Sequence, residues 1–245
     1  MSIPRAVRRQ AASTVACLLL FGLFGAREAN AREAGPALFF TDLTSGPSRG
    51  GQDDLGAFVT LYGEGFGVQR GSSTVTFGGI EVARYVSWGE DNAAARKLDM
   101  IVVQPGPNAI SGDIVVTVGG KASNPLPFTV RTGNVYFVIP GAPNANDTNP
   151  GTFAAPFKSL YRPRQVMQAG DVVYIKGGTF TAADPEHLGW DAALLLSPDT
   201  DPNGTPDRPV AYVGYPGDPP VLGRPSRCAG RSSWTRRSTR TPSRT

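Results

Sequence analysis

The sequence has little cysteine, little histidine and no apolar run long enough to cross a membrane as a helix. Its two cysteines, Cys17 and Cys228, lie near opposite ends, so the chain between them has no disulfide framework and no thiol nucleophile. The one histidine, His187, lies in a loop-like stretch among acidic residues. No nucleophile or second base can be paired with it from the sequence, so a solvated loop is the favoured interpretation.

The first 31 residues predict a secretory signal peptide. Three arginines within the first nine residues precede an apolar run from 11 to 26, which is shorter than a membrane-spanning helix requires. Residues 29–31 give the small-x-small pattern of a cleavage site, so the mature chain is expected to begin at Arg32 and to be secreted or held at the cell surface. The apolar run continues past Cys17, which disfavours a lipid anchor there.

The excess of basic residues is confined to the two ends of the chain. The formal charge is +4, yet residues 32–226 contain 14 Lys and Arg against 19 Asp and Glu. The leader contributes four arginines, and residues 227–245 contribute six arginines and no acid. Nucleic-acid binding requires cations gathered on one folded surface, so this distribution excludes nucleic acid as the expected partner.

Residues 32–132 predict an antiparallel β-sandwich, because apolar and polar residues alternate between closely spaced turn signals. The seven predicted strands begin near Leu38, Ala57, Ser73, Glu81, Leu98, Asp113 and Leu126. The glycine-rich stretch GEGFG is similar to a phosphate-binding loop, but such a loop lies before a helix and no helical pattern follows Gly67. We therefore interpret it as a hairpin connection with Phe66 in the core.

Four stretches of this region, GGQDDLGAFVTLYGEGFG, STVTFGG, IVVQPGP and SGDIVVTVGGKASNPLPFTV, resemble the IPT/TIG family of immunoglobulin-like domains. The resemblance extends over about 95 residues. It implies the fold and says little about function, because the family occurs in surface receptors, in transcription factors and as spacers in secreted carbohydrate-active proteins.

Residues 133–226 predict a second segment with strands at 135–139 and 172–176, separated by a polar loop and a helix. Pro156 suits the start of that helix, and Pro163 is expected to break or kink its middle. The apolar face of the helix would consist of Leu160, Val166 and Met167. Further short apolar strands follow from residues 191, 209 and 221, and this recurrence favours the rungs of a solenoid.

Three motifs in this segment resemble the start of pectate-lyase-like right-handed parallel β-helix proteins. They are NPGT at 149–152, PFKS at 156–159 and GDVVYIKGGTF at 170–180, and residues 205–223 resemble a following rung. The resemblance implies an all-β chain with a β-helix cap and first rungs. In that family the catalytic Lys or Arg and the calcium-binding Asp cluster come from later rungs, so this chain is expected to be non-catalytic.

Residues 227–245 have no period and a composition of Arg, Ser, Thr and Pro that cannot bury a core. We expect this tail to be out-of-frame translation or a broken gene end. The alternative is a native disordered basic tail that binds an anionic surface.

Two groups of residues are candidates for binding. Asp199, Asp201 and Asn203 match the oxygen ligands in the first half of a calcium loop, whereas Val210 stands where such a loop has its glutamate, and a plain turn explains the same residues. No other cofactor is expected. Trp190, close to His187, is a candidate for stacking on a sugar, although aromatics in strands are more often buried.

These observations predict a secreted, non-catalytic protein with a glycan-associated binding module, its partner a polysaccharide or cell-surface glycan. A second hypothesis is an inactive fragment of a polysaccharide lyase or hydrolase. A third is a surface spacer. The three differ in whether polysaccharide is bound, cleaved or neither.

Overall fold

The computed structural model describes residues 35–92, 98–181, 194, 196–197, 199 and 201–223. The predicted leader and tail, together with His187 and Trp190, lie outside these residues. Within the described part of the chain, no helix is both long and apolar enough to span a bilayer.

The first half of the described chain forms two packed β-sheets. Their strands are β1 Ala37–Thr41, β2 Ser45–Gly46, β3 Val59–Glu64, β4 Thr74–Phe77, β5 Ile80–Glu81, β6 Arg84–Asn92, β7 Leu98–Gln104, β8 Gly112–Val118, β9 Lys121–Ala122 and β10 Leu126–Val130. One sheet has the order β1-β3-β7-β6 and is antiparallel. The other has the order β2-β10-β8-β4-β5, with β9 beside β8. All seven predicted strands are present.

The core of the sandwich follows from the alternation within its strands. In β8, Ile114 and Val116 are fully buried while Val115 and Thr117 between them are partly exposed. Burial of each such apolar side chain contributes about 1.5–3 kcal/mol to the free energy of unfolding. Phe66 is also fully buried, as predicted.

The interpretation of GEGFG as a hairpin connection is wrong. β3 pairs with β1 on one side and β7 on the other, so neither of its edges is free for β4. The connection instead passes from one sheet to the other, where β4 pairs with β5 and β8. Asp99 and Trp88 hold it in place: the Phe66 amide donates to Asp99 Oδ2 at 2.8 Å, and Trp88 Nε1 donates to the Phe66 carbonyl at 3.0 Å.

The second half of the described chain contains two small parallel sheets. Their strands are β11 Val135–Val138, β12 Val172–Ile175, β13 Thr179–Thr181, β14 Ala211–Gly214 and β15 Val221–Gly223. β11, β12 and β14 lie side by side in one sheet, and β13 pairs with β15 in the other. All four residues of β12 are buried, as expected for a central parallel strand covered on both faces. The described residues do not close into a solenoid.

The described residues contain one short 3-10 helix, Gln52–Asp54, and a single α-helix, α1, which spans Tyr161–Val166. It begins five residues later than Pro156 suggested, and this start places Pro163 in the first turn. The first-turn N–H groups of a helix have no partner within the helix, so the proline removes no intrahelical bond there. The predicted break at Pro163 is therefore wrong, whereas Leu160 and Met167 are buried as expected.

The hydrophobic core is continuous from the sandwich into the parallel sheet. Tyr174 in β12 is fully buried and belongs to the same apolar cluster as Phe58, just before β3. Their rings meet edge to face at 5.2 Å, and the Tyr174 hydroxyl donates to the Phe58 carbonyl at 2.8 Å. The described residues from Pro36 onward belong to one compact unit. The domain boundary at residue 133 stays a prediction, and packing crosses it.

Candidate functional site

A groove of about 470 Å³ opens beside the edge of the sandwich. Strands β1 and β10 supply two of its walls, and residues 206–209 of the second half supply part of a third. Phe39 and Phe40, which are 46% and 48% exposed, are its largest aromatic side chains. Exposed neighbouring aromatics in a concave site are typical of a ligand-binding surface.

A β-bulge places both phenylalanines on the accessible side. Leu38 pairs with Gly63 and Phe40 pairs with Tyr62, so Phe39 is an extra residue with no opposite partner. Without a bulge, alternation would direct one of two consecutive side chains inward. Here Leu38 is buried while both Phe39 and Phe40 remain exposed.

Gly63 permits the close approach of β1 at this point. A Cβ on Gly63 would lie 2.0 Å from the Ala37 carbonyl oxygen and 2.5 Å from the ring of Phe66. Any larger residue would push β1 away from β3. The position of the exposed phenylalanines therefore depends on a glycine in the neighbouring strand.

Asn124 fixes the other side of β1. Its side-chain Oδ1 accepts a hydrogen bond from the Leu38 amide at 2.9 Å, and its Nδ2 donates to the Leu38 carbonyl at 2.7 Å. This double contact ties the edge strand of one sheet to the loop before β10 in the other. The aromatic wall of the groove is thereby anchored to both sheets.

Phe40 stacks on Tyr62, with ring centroids 4.7 Å apart and an interplanar angle of 19°. Burial raises the pKa of Tyr62, and the nearby carboxylate of Asp42 raises it further, so its hydroxyl stays protonated at neutral pH. The stack restricts the orientation of the Phe40 ring. A restricted ring loses little entropy when a flat apolar ligand packs on it.

The polar groups of the groove are hydroxyls and one carboxylate. The hydroxyl residues are Thr41, Thr44, Ser45 and Thr129, and the carboxylate is Asp207. The Ser45 hydroxyl accepts a hydrogen bond from Arg131 Nε at 3.0 Å, and the Thr41 hydroxyl donates to the Leu43 carbonyl at 2.7 Å. Apolar faces with a few oriented polar groups suit a ligand that is itself amphipathic.

A second cavity, of about 440 Å³, is lined by residues of the loop before β14, which include Asp201 and Asn203, and by Tyr212 in β14. Both Nε and Nη2 of Arg164 lie 2.7 Å from Asp201 Oδ1, in an ion pair whose side chains are 3% and 7% exposed. The other Asp201 oxygen accepts a hydrogen bond from the Ser197 amide. The pair joins the helix to the loop.

This ion pair bears on the calcium hypothesis. The structure brings Asp201 and Asn203 to one cavity, while Asp199 is exposed and does not line it. The positive charge of Arg164 compensates the negative charge of the Asp201 carboxylate, so this carboxylate attracts a further cation less strongly. Within the described residues no group of three His, Cys, Asp or Glu side chains is placed to hold a metal. The calcium site stays a prediction.

Tyr212 provides a stability test of this second cavity. Burial raises its pKa to about 12, with the Asp201 carboxylate as a smaller cause, and its buried hydroxyl has no hydrogen-bond partner in the described residues. Tyr212→Phe is therefore expected to increase the free energy of unfolding by about 1 kcal/mol at pH 7.

The effect of Tyr212→Phe on the free energy of unfolding is expected to depend on pH. Because the folded-state pKa of Tyr212 is raised from 10.0 to about 12, the parent loses stability as the pH rises between these values, so the stability gain from Tyr212→Phe should be larger at pH 11 than at pH 7. Denaturant unfolding of both proteins at pH 7 and pH 11 measures this. A loss of stability in Tyr212→Phe at pH 7 would show that the hydroxyl has a partner.

The aromatic groove was not predicted from the sequence, which directed attention to Trp190 and His187 outside the described residues. The sequence does contain one relevant signal, the LFFT run. Consecutive side chains of a regular strand point to opposite faces, so at least one of its two phenylalanines should face outward.

Comparison with known proteins gives a family match over part of the chain. Residues 40–130 match the model of the IPT/TIG domain family. Among solved structures, a rhamnogalacturonan lyase matches at 26% identity with a TM-score of 0.27, over 36% of this chain and 21% of that chain. The chain thus spans about a fifth of that enzyme's length. A search of curated proteins finds no match. The family match and the two packed sheets agree with the resemblance noted in the sequence, and residues 40–130 are an IPT/TIG domain with an immunoglobulin-like fold.

Proposed function

We propose that the protein is a secreted, non-catalytic glycan-binding protein whose binding site is the groove beside β1. The observation that supports this most directly is the pair of exposed rings, Phe39 and Phe40, in a concave site lined with hydroxyls. Sugar rings have one apolar face of C–H groups that packs on an aromatic ring, and hydroxyls at the edge that need polar partners. The groove offers both kinds of contact.

Binding is favoured over hydrolysis by the ionisable groups present. Asp207 is the one carboxylate among the described residues that line the groove. Glycoside hydrolysis requires, in most families, two carboxyl groups on opposite sides of the scissile bond. The groove therefore supports recognition of a glycan and not cleavage of it.

We also propose that the two parallel sheets are the first rungs of a right-handed parallel β-helix. In support, β12 and β14 are each followed by a strand of the second sheet, β13 and β15, in the same parallel arrangement. β11 is flanked on its outer side by Phe157, which forms a parallel bridge with Val138, as a cap would be. A crystal structure in which the chain passes from β12 through β13 to β14 with a left-handed turn would contradict the proposal.

Affinity electrophoresis in gels containing soluble polysaccharides tests the binding function. Phe40→Ala is expected to weaken binding about tenfold, corresponding to ~1.4 kcal/mol, because the ring that contacts the sugar is lost. Val68→Ala is the control, because Val68 is 85% exposed and is not part of the groove. Both variants should keep the parent's unfolding midpoint to within a few degrees.

Retardation of the parent protein, lost in Phe40→Ala and kept in Val68→Ala, supports the proposal. Unchanged mobility of the parent across neutral and acidic polysaccharides would contradict it, and so would equal retardation of the parent and Phe40→Ala.

A further inference from the structure

The charges around the groove indicate which class of glycan it takes. We propose that it selects neutral sugar residues and disfavours uronate-bearing ones; this inference rests on the proposed glycan-binding function. Among the residues that the structure describes, the groove lining contains one charged side chain, the carboxylate of Asp207, and no cation. A carboxylate accepts hydrogen bonds from sugar hydroxyls and repels a second carboxylate.

The two arginines nearest in sequence to the lining residues are Arg131 and Arg208, and neither lines the groove. Arg208 lies between the lining residues Asp207 and Pro209 but does not line the groove itself. A Cβ built on Gly170 would lie 3.0 Å from Arg208 Nε, so the Arg208 guanidinium packs against the backbone of Gly170. The charge of the Arg208 guanidinium therefore lies beside Gly170 and not among the groups that line the groove.

Arg131 is also held beside Gly170. Its Nη1 donates a hydrogen bond to the Gly170 carbonyl, and its Nε donates to the Ser45 hydroxyl. Its Nε reaches the groove lining through the Ser45 hydroxyl, and Arg131 itself is not among the residues that line the groove, so an incoming uronate carboxylate at this wall would meet Ser45 first. Recognition of a carboxylate ordinarily uses a forked, two-bond contact from arginine, which this arrangement does not offer.

The test compares two forms of one polymer that differ in charge and in the methyl group of each ester, and Asp207→Asn separates the effect of charge from that of the methyl group. Oligogalacturonate and its fully methyl-esterified form have the same sugars and linkages, and a panel of neutral glucan, galactan, mannan and xylan oligomers shows whether the protein binds glycans at all. Binding is measured by titration calorimetry at low and high salt with the parent protein and Asp207→Asn. The substitution removes the charge and nearly preserves the shape of the side chain.

We expect the neutral form to bind at least about fivefold more tightly than the charged form at low salt, because of the like charge of Asp207. The difference should shrink at high salt and in Asp207→Asn. Equal or tighter binding of the charged form overturns the inference and leaves the glycan-binding function standing. A preference that persists unchanged in Asp207→Asn overturns the part given to Asp207. Absence of binding to every oligomer overturns both the inference and the proposed function.

Discussion

Replacement of Tyr174 by alanine is expected to lower the free energy of unfolding by about 3–5 kcal/mol and to destabilise the sandwich together with the parallel sheets. The Tyr174 ring is fully buried, and it contacts Phe58 of the sandwich edge to face at 5.2 Å and Phe137 of β11 at 5.9 Å. Its removal leaves a cavity between two parts of the fold that share one core. Denaturant unfolding, followed by tyrosine and tryptophan fluorescence and by circular dichroism, measures the loss.

Tyr174→Phe is the matched control, because it keeps the ring and removes only the hydroxyl. The hydroxyl donates to the Phe58 carbonyl, so this variant leaves a buried acceptor without its partner and should cost about 1–3 kcal/mol. Both variants should unfold in one transition by every probe. Two separate transitions in Tyr174→Ala, with the sandwich at its original midpoint, would show that the two halves are energetically independent.

The second large effect is expected at the buried ion pair. Arg164→Met should lower the free energy of unfolding by about 3–5 kcal/mol, because the Asp201 carboxylate is then left buried without its cation. Arg164 is on α1 and Asp201 is in the loop before β14, so loss of the pair should first release that loop. Hydrogen exchange at 201–205, together with denaturant unfolding, measures both consequences.

A double-mutant cycle separates the pair from the packing around it. Asp201→Leu alone removes the carboxylate that faces the buried Arg164 guanidinium and should be about as destabilising as Arg164→Met. The combination of both substitutions should recover much of the stability, because neither charge is then buried alone. Additive losses would show that the two side chains act separately.

The sandwich was predictable because its signals are local. Alternation within a strand and glycine or polar residues between strands depend on neighbours in sequence, and β8 shows the expected inward and outward faces. The family match to residues 40–130 agrees with that local pattern. Local sequence patterns do not predict which strands pair with one another, and for this reason the interpretation of GEGFG as a hairpin connection is wrong.

The groove and the ion pair depend on tertiary contacts that the sequence does not display. Exposure of Phe39 follows from a bulge whose position is set by pairing with Gly63 in another strand. Asp201 has the sequence context of a calcium ligand, but Arg164, 37 positions earlier, is brought to it by the fold. A sequence pattern lists the oxygen atoms available and does not say which cation meets them.

Hydrogen–deuterium exchange with and without a saturating neutral oligosaccharide locates glycan binding most directly. Contact with the groove should slow exchange at the amides of 39–45, of Leu126, Phe128 and Thr129, and of Asp207 and Arg208, with the rest of the described chain unchanged. Phe40→Ala at the same oligosaccharide concentration should lose this protection. Protection confined to other parts of the chain, with residues 39–45 unaffected in the parent protein, would contradict the assignment of the groove as the glycan-binding site.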